Sequence, residues 1–437
     1  MKKFTFIGAG SFAFTRAVIR DLLTFPAFED SEFCLMDINP ERLEGIRRCV
    51  QKLVDVSGKP ATVTTTLNRA EALTGADGVL CTVFNGGIEV WRYDTEIPMK
   101  YGVDVNVGDT RNVAGIFRAL RNIPLMLEIC EDIKKYCPKA VFLNYTNPMA
   151  MLCKAMQTYC PEVDVTGLCH SVQGTAEMLA KWLGLGLKDV DYTCAGINHM
   201  AFYLKFEKDG EDLYPKLREL MNDPKIYNEE LVRNEMFKAF DYYVTESSGH
   251  NSEYNQWFRK RPDLIEKFCN HGTGWNPGVH AYSLNLRLER DKKWREQLEE
   301  WLNDEIDTKR GLEYAAPIFN ARIGDGTPFT FNGNVINNGA ITNLPQDACV
   351  EVPCLVDRGG LHPMRVGALP AHIAIMVNNT ALIENLVVEA CVEKNKRKVI
   401  QAVCHDPLTS AVCSLEEINN MCEELFETNK DFLGDYK

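Results

Sequence analysis

The sequence contains no long run of apolar residues, and it has fewer basic than acidic residues, 48 against 61. A membrane-spanning helix needs roughly 18 or more apolar residues, so we expect no transmembrane segment. The net charge of −13 argues against a nucleic-acid partner, because a phosphate backbone attracts cationic surfaces. The N-terminus MKKFTFIGAG has no apolar leader with a small-residue cleavage site, so we expect no signal peptide.

Cysteines are numerous, but no two of the 16 are spaced as C-x-x-C, so a structural zinc site is not expected. They are scattered through apolar, strand-like contexts rather than arranged as a disulfide framework. In a chain of 437 residues with no leader, this pattern favours reduced thiols and a cytoplasmic location.

Short apolar runs alternate with helix-like stretches through the first half of the chain. The runs lie at 4–8, 32–37, 77–84, 140–146 and 163–169, and the helical stretches at 15–25, 40–55, 115–136, 148–159 and 172–184. Strands of this length between longer helices predict βαβ units and a parallel, doubly wound sheet of Rossmann type. We therefore predict an α/β fold that binds ligands at the carboxyl ends of its strands.

The alternation fades beyond about residue 200. Helices are predicted at 213–222, 228–241, 288–302, 371–404 and 415–428, with strands between 328 and 356. We expect an N-terminal domain over residues 1–200 and a C-terminal mixed α+β domain over residues 201–437 that share an interface.

The first predicted strand runs into GAGSFA (8–13), a match to the dinucleotide fingerprint GxGxx[G/A]. Gly8 permits a tight turn and Gly10 lets the backbone approach a pyrophosphate, so Gly8, Gly10, Ser11 and Phe12 are candidate cofactor contacts. Asp37, at the end of the next strand, suits a ribose 2′-hydroxyl and would repel a 2′-phosphate. The alternative is a glycine turn without a ligand. The strand before the motif and the helix after it favour NAD.

Three further strand ends carry polar side chains, in NYTNP (144–148), GLCHS (167–171) and GINHM (196–200). Parallel strands of one sheet would bring Asn147, Cys169 and His199 to the edge that faces the nicotinamide. A thiolate and an imidazole suit a catalytic divalent metal. A buried thiol and a hydrogen-bonded histidine fit the spacing equally well. A nucleophilic Cys169–His170 pair is disfavoured, because adjacent strand residues point to opposite faces.

These motifs, with MDINPERLE (36–44), LNYTNPMAM (143–151), GLCHSVQGTAE (167–177), CAGINHMAFYL (194–204) and CVEVPCLVD (349–357), resemble glycoside hydrolase family 4, above all its α-galactosidase (melibiase) branch. The resemblance covers essentially the whole chain. It implies a lactate/malate dehydrogenase-like fold with an NAD-binding domain over 1–200, and a domain over 201–437 for substrate, metal and oligomerisation. It also implies bound NAD, with Arg42 as a further contact, and Mn²⁺ or another divalent metal on Cys169 and His199. Asn147 would contact a sugar glycoside, and we expect a homodimer or homotetramer.

Family 4 is the NAD-dependent exception among glycosidases. The resemblance implies hydride removal from C3 of the sugar, deprotonation at C2 and cleavage of the C1–O bond, with α-galactosides as the expected substrates. The alternatives are the same mechanism on a 6-phospho-glycoside, an α-glucoside or a uronide, and a plain NAD-dependent hydroxy-acid or polyol dehydrogenase. A cofactor-binding redox sensor is disfavoured, because it needs no Cys–His pair.

The resemblance identifies the catalytic acid and base less closely than the metal ligands. His170 follows the metal cysteine where the phospho-glycosidase branch has an aspartate, so it either transfers protons or is a neighbour at a strand end. In ESSGHNSEYNQWF (246–258), Tyr254 and His250 fall near a tyrosine base and an acid of other branches. They could equally be a core aromatic and a capping histidine.

Two arginines depart from the melibiase pattern. Arg92 falls roughly where phospho-sugar members bind the 6-phosphate, and Arg111 stands where the melibiase pattern is glycine-rich. Asp109 matches the pattern and is a candidate substrate contact. Guanidinium groups in a pocket would suit a phosphate or a carboxylate. The alternative is that Arg92 pairs with Asp94 or Glu96 on a helix surface.

Overall fold

The computed structural model describes residues 1–270 and 277–437. The strands of the described chain are β1 (Lys3–Ile7), β2 (Glu32–Met36), β3 (Thr62–Thr66), β4 (Gly78–Cys81), β5 (Val141–Asn144), β6 (Asp164–Gly167), β7 (Asp191–Ile197), β8 (Met200–Lys208), β9 (Glu211–Asp212), β10 (Phe329–Ile336), β11 (Cys349–Asp357) and β12 (Gly360–Pro363). All twelve lie in one sheet.

The helices begin with α1 (Phe12–Leu23), α2 (Pro40–Ser57), α3 (Arg69–Leu73), α4 (Gly87–Lys100), α5 (Asn112–Tyr136), α6 (Met149–Tyr159) and α7 (Ser171–Trp182). They continue with α8 (Tyr214–Leu220), α9 (Pro224–Glu229), α10 (Leu231–Phe240), α11 (Ser248–Tyr254), α12 (Pro262–Leu264), α13 (Tyr282–Asn303) and α14 (Ala315–Ile323). The last are α15 (Ala371–Glu393), α16 (Lys396–Cys404), α17 (Pro407–Val412), α18 (Leu415–Thr428) and α19 (Lys430–Leu433). Short 3-10 turns lie at Pro26–Phe28 and Leu187–Asp189, and a π-helical turn lies at Ile265–Cys269.

The first half of the sheet confirms the predicted α/β fold. Its strands run parallel in the order β3-β2-β1-β4-β5-β6, the order of a dinucleotide-binding Rossmann sheet. Ile7 pairs with both Met36 and Cys81, so β1, β2 and β4 end level with one another. Strand β3 is absent from the sequence prediction, because TVTTT is largely exposed and shows no apolar pattern.

The sheet continues beyond the parallel half. Strand β10 pairs antiparallel with β6 through Asn334 and Gly167, and β11 joins β10 to the β7–β8 hairpin. Strands that precede residue 200 and strands that follow it therefore belong to one sheet, because β10 and β11 lie between β6 and β7. The division into domains at residue 200 stays a prediction.

Helix α15 corrects the expectation that no segment is apolar enough to approach a membrane span. By length and composition alone, Ala371–Glu393 is long and apolar enough to cross one. This is weak evidence for a membrane, since a core helix of a soluble protein passes the same test. Helix α15 packs on α5 and α6, with Ile373, Val377 and Val387 buried. The predicted continuous helix over 371–404 breaks at Lys394, whose φ is 54°.

Candidate active site

The turn between β1 and α1 requires its glycines. Gly8 has a φ of 79°, and a Cβ there would lie 2.7 Å from the carbonyl oxygen of Thr82. The amides of Gly8 and Ala9 both donate to the carbonyl of Met36, which fixes the turn against β2. At Gly10 a Cβ would lie 2.7 Å from Oδ2 of Asp37. The turn is therefore packed too closely against Thr82 and Asp37 to hold a side chain at either glycine.

Asp37 holds the glycine turn and the start of the next helix together. Its Oδ2 accepts a hydrogen bond from the Gly10 amide at 2.8 Å, and its Oδ1 accepts one from the Asn39 amide at 2.9 Å. A cavity of about 1200 Å³ opens beside this turn. Its lining includes Gly8, Gly10, Ser11, Asp37 and Arg42.

The Phe12 side chain is not among the residues that line the two cavities, and its contact with the cofactor stays a prediction. Helix α1 begins at this residue, and the ring packs edge-on against Trp301 at 6.4 Å with the Arg16 guanidinium over its face at 4.5 Å. Phe12 therefore joins α1 to α13. The cofactor roles of the other four candidates and of Arg42 stay predictions.

Three side chains with metal-binding atoms meet at the carboxyl edge of the sheet. His199 Nε2 lies 3.1 Å from Cys169 Sγ and 3.4 Å from Glu246 Oε2. The ligand atoms of Cys169, His199 and Glu246, the three residues of this candidate metal cluster, all lie within 4.8 Å of one another. Cys169 follows β6, as predicted, but His199 lies in the β7–β8 hairpin rather than at the end of a parallel strand. It reaches the site because the antiparallel strands extend the sheet.

Glu246 is the member of this cluster that the sequence reasoning missed. It lies just before α11, and its carboxylate also faces His250 Nδ1 at 3.2 Å. Glu246 and His199 both have left-handed backbone, with φ of 70° and 61°. Such strain in residues other than glycine clusters at functional sites. No sequence period marks Glu246, so only the fold identifies it.

Burial and neighbouring hydroxyls keep the His199 ring ready to act as a ligand. Burial lowers the pKa of His199 to about 4, so the imidazole is neutral at neutral pH. Its Nδ1 lies 3.2 Å from Thr110 Oγ1 and 3.3 Å from Tyr254 Oη. These contacts leave Nε2 facing Cys169. Burial and the charges of Glu351 and Glu246 raise the pKa of the Cys169 thiol, so its thiolate needs a cation.

Asp109 and His250 form a charged pair beside the cluster. Burial alone would raise the pKa of Asp109, but the hydrogen bond and charge of His250 hold it well below its ordinary value. Burial alone would lower the pKa of His250, but Glu246 and Asp109 raise it to about 9. The Asn147 amide donates to Asp109 Oδ2 at 3.0 Å. The structure thus brings three predicted residues, Asp109, Asn147 and His250, to one wall.

His170 lies next to Cys169 in sequence, but its ring points elsewhere. Its Nε2 lies 2.5 Å from Glu313 Oε1, and its ring packs near Tyr145 and Phe14. Burial would lower the pKa of His170, yet the hydrogen bond and charge of Glu313 raise it. The exposed edge of the imidazole lines the cavity in front of the metal cluster.

Tyr254 and the two arginines that differ from the melibiase pattern, Arg92 and Arg111, do not line the cavity beside Cys169 and His199. Tyr254 is buried behind His199, and the Arg111 guanidinium lies 4.7 Å from its ring. Arg111 donates to the carbonyl of Asn198 and is buried. Arg92 is exposed on α4, where it pairs with Glu89 and Glu96. The predicted substrate contact at Arg92 is therefore wrong: its guanidinium is held at the surface by two carboxylates one turn away.

A cavity of about 1060 Å³ connects these groups. Its lining includes Asp109, Asn147, Cys169, His170, His199, Glu246 and His250. Ser11, Thr82, Val83 and Arg118 line this cavity and also the one beside the glycine turn. A sugar beside the metal cluster would therefore lie next to the nicotinamide end of a dinucleotide.

Comparison with known proteins agrees with this arrangement. The description "Family 4 glycosyl hydrolase" matches residues 3–185, and "Family 4 glycosyl hydrolase C-terminal domain" matches residues 194–409. The α-galactosidase of Bacillus subtilis (strain 168) is 39% identical over 450 residues, which cover 100% of both chains.

Solved structures show the same fold. A 6-phospho-α-glucosidase from gut microorganisms, solved in complex with NAD and Mn²⁺, has a TM-score of 0.84 at 21% identity, over 100% of both chains. Malate dehydrogenase of Cryptosporidium parvum has a TM-score of 0.52 at 15% identity, over 90% of this chain and 99% of that one. The predicted lactate/malate dehydrogenase-like fold is confirmed. The chain belongs to glycosyl hydrolase family 4 and is a glycosidase.

Proposed function

We propose that this glycosidase hydrolyses α-galactosides with bound NAD and a bound divalent metal ion. Hydride would leave C3, a proton would leave C2 and the C1–O bond would break, after which water would add at C1 and a proton and the hydride would return to C2 and C3. The observation that carries the proposal is the Cys169–His199–Glu246 cluster in a cavity that adjoins the dinucleotide turn. Similarity to the B. subtilis α-galactosidase over the full length supports the choice of sugar.

The donor set fits a first-row divalent cation such as Mn²⁺. Cys169, His199 and Glu246 would hold it, since a thiolate, an imidazole and a carboxylate lie within reach of a common centre. The lowered pKa of His199 keeps its Nε2 lone pair free of a proton at neutral pH. His199 is also close to Asp109 and His250, which form a second group of potential ligands.

The glycine turn fits NAD, because it joins β1 to the N-terminus of α1 at the wall of a cavity, and Asp37 directly follows β2 there. Bound NAD would supply a reversible hydride acceptor, and the bound cation a Lewis acid. Asp37 orients the glycine turn through two accepted hydrogen bonds. Its charge favours a ribose hydroxyl over a phosphate.

Proton transfer falls to the histidines of the cavity wall. His170 is the proton donor to the leaving oxygen, because it faces the cavity and Glu313 favours its protonated form. His250 carries a positive charge between Glu246 and Asp109, so it serves as a donor rather than as a base. Tyr254 orients His199 from behind. Asp109 and Asn147 bind the sugar as a linked pair.

A panel of nitrophenyl glycosides, with and without a 6-phosphate or a uronate carboxyl, tests this function in the presence of NAD, Mn²⁺ and a thiol reductant. We expect turnover of the neutral α-galactoside, dependence on both cofactors and no net formation of NADH. Net NADH formation without glycoside cleavage would instead indicate a hydroxy-acid or polyol dehydrogenase. Exclusive cleavage of a charged or gluco-configured substrate would overturn the choice of sugar.

We also propose that the chain is a homodimer or homotetramer in the cytoplasm. Ile375 and Leu382 lie one heptad apart on α15 and are 73% and 51% exposed, which suits contact with a second copy. All 16 cysteines are free, which suits a reducing compartment. Light scattering measures the oligomer, and we expect Ile375→Glu with Leu382→Glu to dissociate it.

A further inference from the structure

Arg118 occupies the junction of the two cavities. It projects from α5 and lines both the cavity at the metal cluster and the cavity at the glycine turn. Its guanidinium lies 5.0 Å from the ring centre of Phe84 and 5.3 Å from that of Trp91. These two aromatic rings fix the plane of the guanidinium at the point where a sugar and a nicotinamide would meet.

The guanidinium has donors that the protein does not satisfy. Its Nε donates to the carbonyl of Asn147 at 3.4 Å. Within residues 1–270 and 277–437, neither terminal nitrogen has a protein acceptor, and Nη1 is buried. An unpaired buried donor costs free energy, and an arginine fork is suited to two adjacent acceptors. A ligand in the cavity can supply those acceptors.

The hydrogen-bond network of Arg118 places it with the sugar side of the junction. Asn147, whose carbonyl it contacts, donates its side-chain amide to Asp109. The junction therefore links the guanidinium, through Asn147, to the Asp109 carboxylate on the wall of the cavity beside Cys169 and His199.

We propose that Arg118 is a substrate-binding residue that donates from its two terminal nitrogens to adjacent hydroxyl groups of the sugar. This inference rests on the proposed function and adds to it a residue that binds the substrate. The competing role is a contact with the cofactor, because Arg118 also lines the cavity at the glycine turn.

The variants Arg118→Lys and Arg118→Gln test the proposal, with Arg92→Lys as the matched control on the surface of α4. With NAD and Mn²⁺ saturating, we expect both Arg118 variants to raise KM for a nitrophenyl α-galactoside by about 10- to 100-fold, with a smaller change in kcat. Lysine keeps the charge but loses the fork, so it does not restore KM. Arg92→Lys should match the wild type. Unchanged KM in both Arg118 variants would overturn the proposal.

Calorimetry separates the sugar from the cofactor. We expect the Arg118 variants to weaken galactose binding to the NAD- and Mn²⁺-loaded protein while the NAD Kd changes less than about 2-fold. A selective rise in the NAD Kd would assign Arg118 to the cofactor and overturn the proposal. These titrations need no turnover, so they decide the role of Arg118 even if nitrophenyl α-galactoside is not a substrate.

Discussion

His199 joins the candidate metal ligands to the buried layer behind them. One ring nitrogen faces Cys169 and Glu246, and the other faces Thr110 and Tyr254. A ring held on both sides cannot rotate without losing contacts on both. The left-handed backbone at His199 is therefore compensated by contacts that fix the ring where a cation would bind.

Loss of a ligand side chain should remove the metal and leave the cofactor. We expect Cys169→Ser and His199→Ala each to abolish most of the activity and to lower the Mn²⁺ content of the purified protein, because each removes one of three donors. NAD affinity should stay close to that of the wild type, since the glycine turn lies elsewhere. Elemental analysis and NAD titration measure the two effects. Cys404→Ser is the control, and full Mn²⁺ content in Cys169→Ser would refute the assignment.

Asp37 should have two separable effects on cofactor binding. We expect Asp37→Ala to weaken NAD by about 1.5–3 kcal/mol and to relax discrimination against NADP, because a charged acceptor is lost. Asp37→Asn keeps one acceptor for the Gly10 or Asn39 amide but not the charge. It should therefore recover part of the NAD affinity and still admit NADP. Unchanged NAD affinity in Asp37→Ala would show that this carboxylate lies off the ribose.

At the scale of elements, the site depends on how tightly the strand ends are packed. Gly167 ends β6 two residues before Cys169, and it pairs with Asn144 and Asn334 on either side. A Cβ at Gly167 would lie 2.4 Å from Cys153 Sγ and 2.5 Å from Met149 Sδ, both of which are buried. This strand end therefore has no room for a larger residue.

The variant Gly167→Ala should lower the free energy of unfolding by about 1–3 kcal/mol, because it overpacks a buried site. Gly174→Ala, inside α7, is the matched control, since a Cβ there meets nothing within 4 Å. We expect that control to be more stable than the wild type by about 0.5–1 kcal/mol, from the cost of glycine in a helix. Urea unfolding measures both, and equal effects would contradict the packing described for β6.

Helix α17 carries a pH-dependent cap. Asp406 accepts hydrogen bonds from the amide and hydroxyl of Thr409, and burial raises the pKa of Asp406 to about 6. A carboxyl group whose pKa is higher in the folded state than in the unfolded state binds its proton more tightly in the folded state. It therefore stabilises the fold at low pH, and this contribution is lost as pH rises through about 6.

The variant Asp406→Asn keeps the hydrogen-bond acceptor but cannot ionise. We expect its unfolding free energy, relative to that of the wild type, to rise by about 1 kcal/mol when the pH is raised from about 5 to about 8. Urea unfolding of both proteins at the two pH values measures the difference. If the difference in unfolding free energy between the two proteins did not change with pH, the Asp406 carboxyl would have the same pKa in the folded and unfolded chains, against this prediction.

At the scale of the whole molecule, local sequence pattern is enough to predict five of the six parallel strands, and the exposed strand β3 is the one it misses. Those five apolar strands alternate with capped helices, and the GAGSFA turn follows a strand and precedes a helix. The antiparallel continuation through β10 and β11 could not be predicted, because it pairs Asn334 with Gly167 across long sequence separation. The sequence pattern groups His199 with Cys169, as the structure does, but the expected reason is different. His199 lies in an antiparallel hairpin and not at the end of a parallel strand.

Residues beside the site were harder to predict than its motifs. Glu246 has no periodicity or motif of its own, and only the chain path before α11 brings it to His199. Arg92 was attractive by position in the sequence, but α4 turns it outward to Glu89 and Glu96. Arg118 has no motif of its own in the sequence, and only its position at the junction of two cavities distinguishes it.

The central claim is that the C2–H bond of the sugar breaks during hydrolysis. Hydrolysis of a nitrophenyl α-galactoside in D₂O, with NAD, Mn²⁺ and a thiol reductant, tests it most directly. A base that removes the C2 proton exchanges with solvent before that carbon is reprotonated, so the released galactose should carry deuterium at C2 by NMR. Two-carboxylate hydrolysis leaves C2–H intact. Galactose released without deuterium at C2 would contradict the account.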